Sequence, residues 1–391
     1  MHTLLALALV AAGAGDVEVF LTSDRRPVDK PPKGIGNDFL ETRLELGNLK
    51  LWYRAAVDPH NDDAPVRFGY GDFFFGCDFG RQGNGGWNLW NFTGATVATA
   101  GGKPVGLFRR AEGVHVVERG ARAMADVAWW PLGAERTPTS IVAIRFVKRA
   151  GEAKWAYIET SVAPESPLAL ASVWYSAFPG NTSGPPGRER WVTTPARSHN
   201  LMTGEVSLDP AREWAVSLHN KNGHERAGSL LVFDPAEVAA AKVSGTYGVA
   251  IRLTPKAGAK RLHVAVGYFL GEHHRDANAA FLGAAPASLE RLRKVGWAAN
   301  IDRLHEAWTR QMKELAEPLR LVADDVELSM RLDGVCTAYE EARQAAIACR
   351  KQGKPVPRGT ERRLADRFAD LAAARDTLFA GAVKALLEGQ P

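Results

Sequence analysis

Between about residue 39 and residue 270, apolar and polar residues of the chain alternate with a period of two, which is typical of half-buried β-strands. The Asn222-Gly223 step is a strong signal for a tight hairpin turn. Because no helical segments separate these runs, the pattern predicts a large antiparallel β-sandwich or barrel. The clearest alternating runs are residues 114–119, 121–130, 140–149, 155–162, 170–178, 213–219, 228–233, 246–253 and 261–270.

After Pro286 the apolar residues recur every three or four positions instead, which is the period of an amphipathic helix. A first stripe covers residues 297–315 and is followed by Pro318, which we expect to end the helix. Two further stripes cover residues 328–349 and 364–382. The pattern therefore predicts a mainly β protein with an α appendage, in which a three-helix antiparallel arm follows the sandwich.

The first fifteen residues contain an apolar run, residues 4–12, and then the small-residue pattern Ala12-Gly13-Ala14. This favours a signal peptide and hence export to the periplasm or the extracellular space. The run lacks a Lys or Arg before it, so a buried first strand or a misassigned start codon stays an alternative. It is too short to span a bilayer, and no other run of membrane length occurs. The predicted division is a signal peptide at 1–15, a leader at 16–36, a sandwich at 37–285 and a helical arm at 286–391.

Composition excludes several classes of protein. With 46% hydrophobic and 24% charged residues, the chain has the composition of an ordinary globular protein. The net charge of +5 is not concentrated in one segment, so we expect no nucleic-acid partner. There is no Walker loop, no dinucleotide fingerprint, no CxxC or HExxH metal motif and no GxSxG elbow. The sequence thus predicts no cofactor and no metal.

The stretch from Phe68 to Phe92 has the strongest bias in the chain, because it is rich in both aromatic residues and glycines. Trp87, Asn88 and Trp90 lie within it. Indole rings stack on the apolar faces of sugars, and amides bind hydroxyl groups, so this combination suits a saccharide groove. The alternative is that the rings fill the interior of the sandwich.

Two other segments contain candidate site residues. A Pro- and Gly-rich connection, residues 179–190, ends at Arg190 and is followed by Trp191, so we predict a flap or, alternatively, a disordered loop. His219, His224 and Glu225 flank the predicted Asn222-Gly223 turn and are the candidates for acid and base catalysis, although the alternative is a plain surface turn.

Four further histidines are not assigned to the candidate site. The segment 272–276 contains His273 and His274 and is interpreted as a polar exit from a strand into a loop. The alternative is a metal site, which would require a loop, because adjacent histidines on an extended chain point to opposite sides. His199 and His263 are lone histidines in the sequence, and we interpret both as structural.

The order of three features resembles that of galactose-mutarotase-like β-supersandwiches. The features are Phe68-Gly69-Tyr70-Gly71, the pair of segments 140–146 and 155–159, and the segment 218–233. Domains of this family occur in sugar epimerases and beside many polysaccharide lyases and glycosidases. The resemblance implies a two-sheet fold, a saccharide ligand and ring opening by histidines with a carboxylate. His219, His224 and Glu225 match that composition, but their hairpin setting departs from the usual arrangement of the family.

The leading functional hypothesis is an exported protein that binds or processes carbohydrate, with a saccharide held over Trp87 and Trp90 on an aromatic-lined concave sheet. Asn88, Arg190 and Trp191 would complete the binding site. The sequence does not decide between binding and catalysis. The alternative is a non-catalytic envelope or assembly protein that uses its helical arm as an interface and oligomerises through it.

Overall fold

A computed structural model of the chain describes most of the sandwich and of the helical part. The described residues are 15–27, 38–47, 49–56, 73–76, 90–106, 111–131, 135, 137–177, 190–201, 204–220, 227–245, 249–270, 274–321 and 325–388. The predicted signal peptide, apart from its last residue, lies outside them. So do Trp87, Asn88, His224 and Glu225, four of the predicted site residues.

The described part of the β region forms strands that pair without exception in antiparallel fashion. In chain order they are β1 (Val19–Pro27), β2 (Asp38–Leu46), β3 (Leu49–Ala56), β4 (Phe73–Gly76), β5 (Trp90–Ala98), β6 (Val105–Gly106), β7 (Ala111–Glu118), β8 (Arg122–Trp129), β9 (Val142–Arg149), β10 (Trp155–Val162), β11 (Ala169–Ala177), β12 (Arg190–Thr193), β13 (Ser198–Asn200), β14 (Glu205–Leu208), β15 (Ala215–Asn220), β16 (Ala227–Phe233), β17 (Val238–Gly245), β18 (Val249–Pro255) and β19 (Arg261–Leu270).

The strands form two sheets. One has ten strands in the order β1-β2-β3-β4-β5-β11-β18-β17-β14, with β6 paired to β5. The other has nine strands in the order β13-β12-β15-β16-β19-β10-β9-β8-β7. The predicted fold class, a large antiparallel sandwich followed by helices, is confirmed.

The main core lies between the two sheets, and the nine-stranded sheet is buried on its other face as well. On β9, Ile144 and Phe146 point into the core, whereas Arg145 and Val147 point to the outer face. Seven of the eight residues of β9 are nevertheless buried, because helices cover that outer face. Fully burying one of the large apolar side chains contributes about 1.5–3 kcal/mol. The outer face is therefore a second core and not a solvent-exposed surface.

In the described part of the chain, four α-helices follow the strands, whereas the sequence pattern predicts three. They are α1 (His274–Arg293), α2 (Ile301–Leu321), α3 (Val326–Lys351) and α4 (Arg358–Glu388). The prediction of a strand-to-loop exit is therefore wrong at His274, which begins a helix. Likewise Pro318 does not stop α2, which continues to Leu321.

The sequence pattern does not predict the additional helix, α1, because small residues occupy much of its buried face. Ala277 and Ala285 share that face with Phe281 and Leu289, and Pro286 lies inside the helix. Alanine gives a weak apolar stripe, and proline normally argues against a helix interior. α1 spans the predicted boundary at residue 286, and the division of the chain into domains stays a prediction.

The helices pack on the sandwich and on one another. α1 crosses the outer face of the nine-stranded sheet over β15, β16 and β19, and α4 lies against the edge strand β7. α2, α3 and α4 share a core of their own, and the apolar stripe of α3 from Leu328 to Ala346 is buried in it. The most regular stripe in the sequence is therefore used for packing within the chain.

Candidate functional site

One transverse row of ionisable side chains crosses the outer face of the nine-stranded sheet. The row consists of His115, Asp126, Arg145, Glu159 and His263, and these five residues pair directly across the adjacent strands β7, β8, β9, β10 and β19. Direct cross-strand neighbours on one face have Cβ atoms about 4.5–5.5 Å apart. Because basic and acidic residues alternate along the row, each carboxylate lies between two basic groups.

Arg145 lies at the centre of the row and is fully buried. Its Nε donates to Asp126 Oδ1 at 2.6 Å, and its Nη2 donates to Asp126 Oδ2 at 2.8 Å and to Glu361 Oε2 at 2.7 Å. Its Nη1 donates to the carbonyl oxygen of Trp297 at 2.7 Å. Burial alone would raise the pKa of Asp126, but Arg145 outweighs that effect and the pKa falls to about 2. Asp126 is therefore a carboxylate at neutral pH.

His263 is held between two carboxylates. One ring nitrogen, Nε2, lies 2.7 Å from Glu159 Oε2, and the other, Nδ1, lies 2.7 Å from Glu237 Oε1. The indole of Trp297 stacks on the imidazole at 4.6 Å between ring centroids. Burial would lower the pKa of His263, but the hydrogen bonds to Glu159 and Glu237 raise it to about 9. At neutral pH the ring is thus protonated and donates from both nitrogens, so it is unsuited to act as a general base.

The first turns of α4 cover this row and pair with it. Arg358 contacts Glu159, Glu361 accepts from Arg145, and Asp366 lies 2.5 Å from Nδ1 of His115. Burial would raise the pKa of Glu159. The hydrogen bond from His263 and the positive charges of Arg358 and Arg145 outweigh that effect and hold the pKa below its usual value. The row therefore joins the helical part to the sheet through ion pairs, and we interpret its role as structural.

Of the residues predicted to bind or process a ligand, the structure describes Trp90, Arg190, Trp191 and His219. Arg190, Trp191 and His219 lie elsewhere on the nine-stranded sheet, and Trp90 lies on the ten-stranded sheet. Trp191 on β12 pairs with Asn200 on β13 and, on its other side, with His219 on β15. Direct pairing places the three side chains next to one another on one face. Thr193 Oγ1 lies 2.8 Å from His219 Nε2 on that face. The structure thus brings Trp191 and His219 together, although 28 positions separate them in the sequence.

Two other predicted residues are described by their backbone alone. Arg190 begins β12 and pairs with Asn220, the last residue of β15. Trp90 begins β5 and pairs with Ala177, the last residue of β11. In each pair, the first residue of one strand lies beside the last residue of its neighbour. The end of β15 that carries His219 therefore lies beside the beginning of β12.

Both pairs lie at the same end of the sandwich. The connections 234–237 and 256–260 pass from one sheet to the other at the opposite end, which fixes the relative direction of the strands. The segments 77–89 and 221–226 contain the four predicted site residues outside the described ranges, and the segment 178–189 contains most of the predicted flap. All three segments join strands at the end of the sandwich where these two pairs lie. The three segments therefore attach at the same end of the sandwich.

A buried carboxylate fixes the strands that carry Trp191 and Asn200. Glu213 accepts hydrogen bonds from Arg197 Nε at 2.9 Å and from Thr194 Oγ1 at 3.0 Å, and it lies 3.3 Å from His199 Nε2. Burial raises the pKa of Glu213, but the hydrogen bond from Arg197 and those from its other partners outweigh it and lower the pKa to about 2. The turn between β12 and β13 is thereby anchored to the start of β15.

Sequence reasoning did not find the charged row, because its members come from five separate strands. One local signal exists: Asp126 lies between Met124 and Ala128 on its face of the strand, and Arg145 lies between Ala143 and Val147, so each charge has apolar neighbours on its own face. In the described part of the chain no group of three or more His, Cys, Asp or Glu side chains is arranged to hold a metal ion. Among the described helices, none combines the length and the apolar character that crossing a membrane needs.

Comparisons with known proteins give a likeness of structure. No protein-family model matches the chain, and no curated protein matches it. A solved structure from Klebsiella pneumoniae, of a protein assigned as an aldose 1-epimerase, is similar over 70% of this chain and 88% of its own, with 10% identity and a TM-score of 0.32. Aldose epimerases are the kind of protein that the sequence resemblance names. At this TM-score the likeness carries no argument about the function of the chain.

Proposed function

We propose that this protein is exported and binds a saccharide at the end of the nine-stranded sheet, with the sugar lying against Trp191. The observation that supports this proposal best is the cross-strand set of Trp191, Asn200 and His219. Its residue types are those that a sugar site needs, and its position is where the three predicted site segments attach. Because these segments attach there, the proposed site also includes Trp87, Asn88, Trp90 and Arg190.

The chemistry of the set suits a neutral, hydroxyl-rich ligand. The half-buried indole of Trp191 offers an apolar face for the C–H side of a sugar ring. Asn200 contributes an amide that donates and accepts, and His219 contributes an imidazole next to the hydroxyl of Thr193. These groups recognise hydroxyls without requiring a charged substrate.

The buried charged row is the other place where histidine and carboxylates meet, and it is a poorer candidate. Its Glu159 is 1% exposed, and Arg358 and Glu361 of α4 pair directly with the row. The raised pKa of His263 keeps the ring protonated at neutral pH. A saccharide would have to displace α4 to reach it. We therefore assign the row to stability and the end of the sheet to the ligand.

Tryptophan fluorescence tests the binding proposal. We expect a panel of neutral mono- and oligosaccharides to contain at least one that changes the emission of the protein, and we expect Trp191→Ala to weaken that binding at least about tenfold. Trp130→Ala is the matched control, because Trp130 is also half-buried but lies at the opposite end of the sandwich. Absence of a response to every saccharide, or equal losses in both variants, would remove the proposal.

A second measurement separates binding from catalysis. If the site interconverts sugar anomers, His219→Asn lowers kcat and leaves saccharide affinity within a few fold, because the amide retains hydrogen bonding but cannot transfer a proton at neutral pH. His224 and Glu225 are the proposed acid and base partners of His219. Anomer exchange followed by NMR, with the variants at 219, 224 and 225 compared, decides this point. Unaltered exchange in all three variants would assign any turnover to other residues.

A further inference from the structure

The outer face of the ten-stranded sheet, on the side away from the core, carries a half-buried tryptophan. Side chains of β11, β17 and β18 alternate between the core and this face. Val173 and Leu253 pair with each other in the core, whereas Trp174 and Arg252 pair on the outer face. Arg252 and Lys242 are exposed, so solvent reaches this face around them.

Trp174 belongs to a line of residues that crosses five adjacent strands on the outer face. The residues pair directly from β5 through β11, β18 and β17 to β14, and they are Gly94, Trp174, Arg252, Lys242 and Ser207. We call these five residues the outer strip. With about 4.8 Å between neighbouring strands, the outer strip is about 19 Å long, so a chain molecule can lie along it.

The indole of Trp174 lies over Gly94 and has small residues around it. A Cβ atom at position 94 would overlap the six-membered ring of the indole, so the missing side chain of Gly94 makes room for the ring. Ser172 and Ser176 lie two positions before and after Trp174 on β11. Ser172 also shares a hydrogen bond of 2.9 Å with the hydroxyl of Thr96. Because this surround is small and polar, the indole offers apolar surface to the C–H side of a sugar ring, with hydroxyl groups beside it.

Arg252 lies next to the indole and has a like charge on its other side. It pairs across the strands with Trp174 and with Lys242, and like charges directly opposite each other destabilise a sheet. Lys242 is compensated, because its Nζ donates to Glu205 Oε1 at 2.6 Å. Within the described part of the chain Arg252 forms no ion pair, so its guanidinium is open to a negative group of a ligand.

We propose that the outer strip binds an acidic oligosaccharide, a chain of sugar rings that carry carboxylates. One ring stacks on the indole of Trp174, and the carboxylate of that ring pairs with Arg252. A guanidinium offers a carboxylate two parallel hydrogen bonds, which fixes the orientation of the ring. The exposed pair of Lys242 and Glu205 supplies a donor and an acceptor for the hydroxyls of the next ring.

The charge of the outer strip favours a saccharide over a nucleic acid or a lipid surface. Its cations are Arg252 and Lys242, and Glu205 neutralises Lys242, so one positive charge is uncompensated. Nucleic acids and anionic membranes are bound by groups of several cations. One free guanidinium beside one indole matches one carboxylate on one sugar ring.

The outer strip is separate from the saccharide site proposed at Trp191. It lies on the ten-stranded sheet, whereas Trp191 belongs to the nine-stranded sheet. The two sites also differ in chemistry, since the set around Trp191 suits a neutral sugar and the outer strip suits a charged one. Either proposal can therefore fail without the other.

Isothermal titration of the full chain with trimers of galacturonate, glucuronate and mannuronate tests the proposal. We expect at least one trimer to bind, and we expect its methyl ester to bind at least about tenfold more weakly, because the ester removes the charge that pairs with Arg252. Arg252→Gln should weaken binding of the acid by a similar factor. The matched control is Arg261→Gln, which removes an exposed arginine of the nine-stranded sheet and should leave the affinity unchanged.

Trp174→Leu should also weaken binding at least about tenfold, since it removes the stacking surface. Hydrogen exchange of the wild-type protein gives a second measurement in case this half-buried position does not tolerate the change. With the bound trimer we expect slower exchange at residues 172–177 and 249–255. Absence of binding by all three trimers overturns the proposal, and so does equal affinity for a trimer and its ester. Binding that Arg252→Gln leaves intact and Trp191→Ala abolishes overturns it as well, because the acidic sugar then belongs to the other site.

Discussion

At the scale of single residues, the charged row stabilises the molecule only as a complete set. Burying a charge without a partner costs several kcal/mol, and a buried ion pair repays that cost when its geometry is good and its other hydrogen bonds are made. Arg145 meets both conditions, because four donor–acceptor contacts of 2.6–2.8 Å surround its guanidinium. Removing one member leaves its neighbours charged, buried and unpaired.

Arg145→Ala should therefore lower the free energy of unfolding by about 3–5 kcal/mol, since Asp126 and Glu361 are left uncompensated. Arg145→Lys should also destabilise the protein, because a single ammonium group cannot reproduce the planar fork. Urea denaturation measures both. Arg320→Ala is the control, because Arg320 pairs with Glu317 on the exposed surface, and it should cause no measurable change. A loss in Arg145→Ala no larger than in the control would contradict the structural role of the row.

His263 should make the stability of the protein depend on pH above neutrality. Its folded pKa of about 9 is above its ordinary value of 6.5, so its contribution is complete below about pH 6.5 and is lost as the pH rises through 9. We expect the free energy of unfolding to fall by roughly 3 kcal/mol across this window. His263→Gln removes the titrating group and should flatten the profile between pH 7 and pH 9.5. The same slope in wild type and variant would show that His263 is not protonated in the folded protein.

At this scale, little of the charged row can be predicted from the sequence. Asp126, Arg145, Glu159 and His263 are separated by 19, 14 and 104 positions, and only the register of four strands places them in one row. His263 is a lone histidine in the sequence, and its partners Glu159 and Glu237 come from other strands. A prediction from one sequence has no access to register, so it cannot assign such partners.

At the scale of elements, strands were easier to predict than helices. Strand periods were clear because the two sheets bury one face of each strand in a common core. The helices α2, α3 and α4 also show their stripes, since they bury Leu, Trp and Phe against one another. α1 does not, because its contact with the sheet uses Ala277 and Ala285, and small residues allow a helix to lie close to a sheet without a strong apolar signal.

Phe281 is the large side chain that fixes α1 to the sheet. It is 6% exposed, and its ring centroid lies 6.0 Å from that of Trp155 on β10. Phe281→Ala should lower the free energy of unfolding by about 3–5 kcal/mol, as truncation of a buried aromatic residue does. Leu282→Ala, the half-buried neighbour, should cost clearly less. Equal effects in thermal denaturation would indicate that α1 is not docked through this face.

At the scale of the whole molecule, we assign two separate roles to one face of the nine-stranded sheet. Toward one end, the charged row and α4 close the face and stabilise it. At the other end, Trp191, Asn200 and His219 form the proposed ligand set where three predicted site segments attach. The sequence predicts the sandwich and two of the three members of this set, Trp191 and His219, because residue types identify candidates. It cannot show which candidates are neighbours.

Hydrogen exchange in the presence of a saccharide tests the central claim most directly, because it reports on every strand at once. With a sugar that changes tryptophan fluorescence, we predict slower exchange at residues 190–193 and 215–220. We predict no change in the strands of the charged row, residues 122–129 and 142–149. Protection confined to the row or to the helices, with none at β12 and β15, would contradict the assignment of the ligand site.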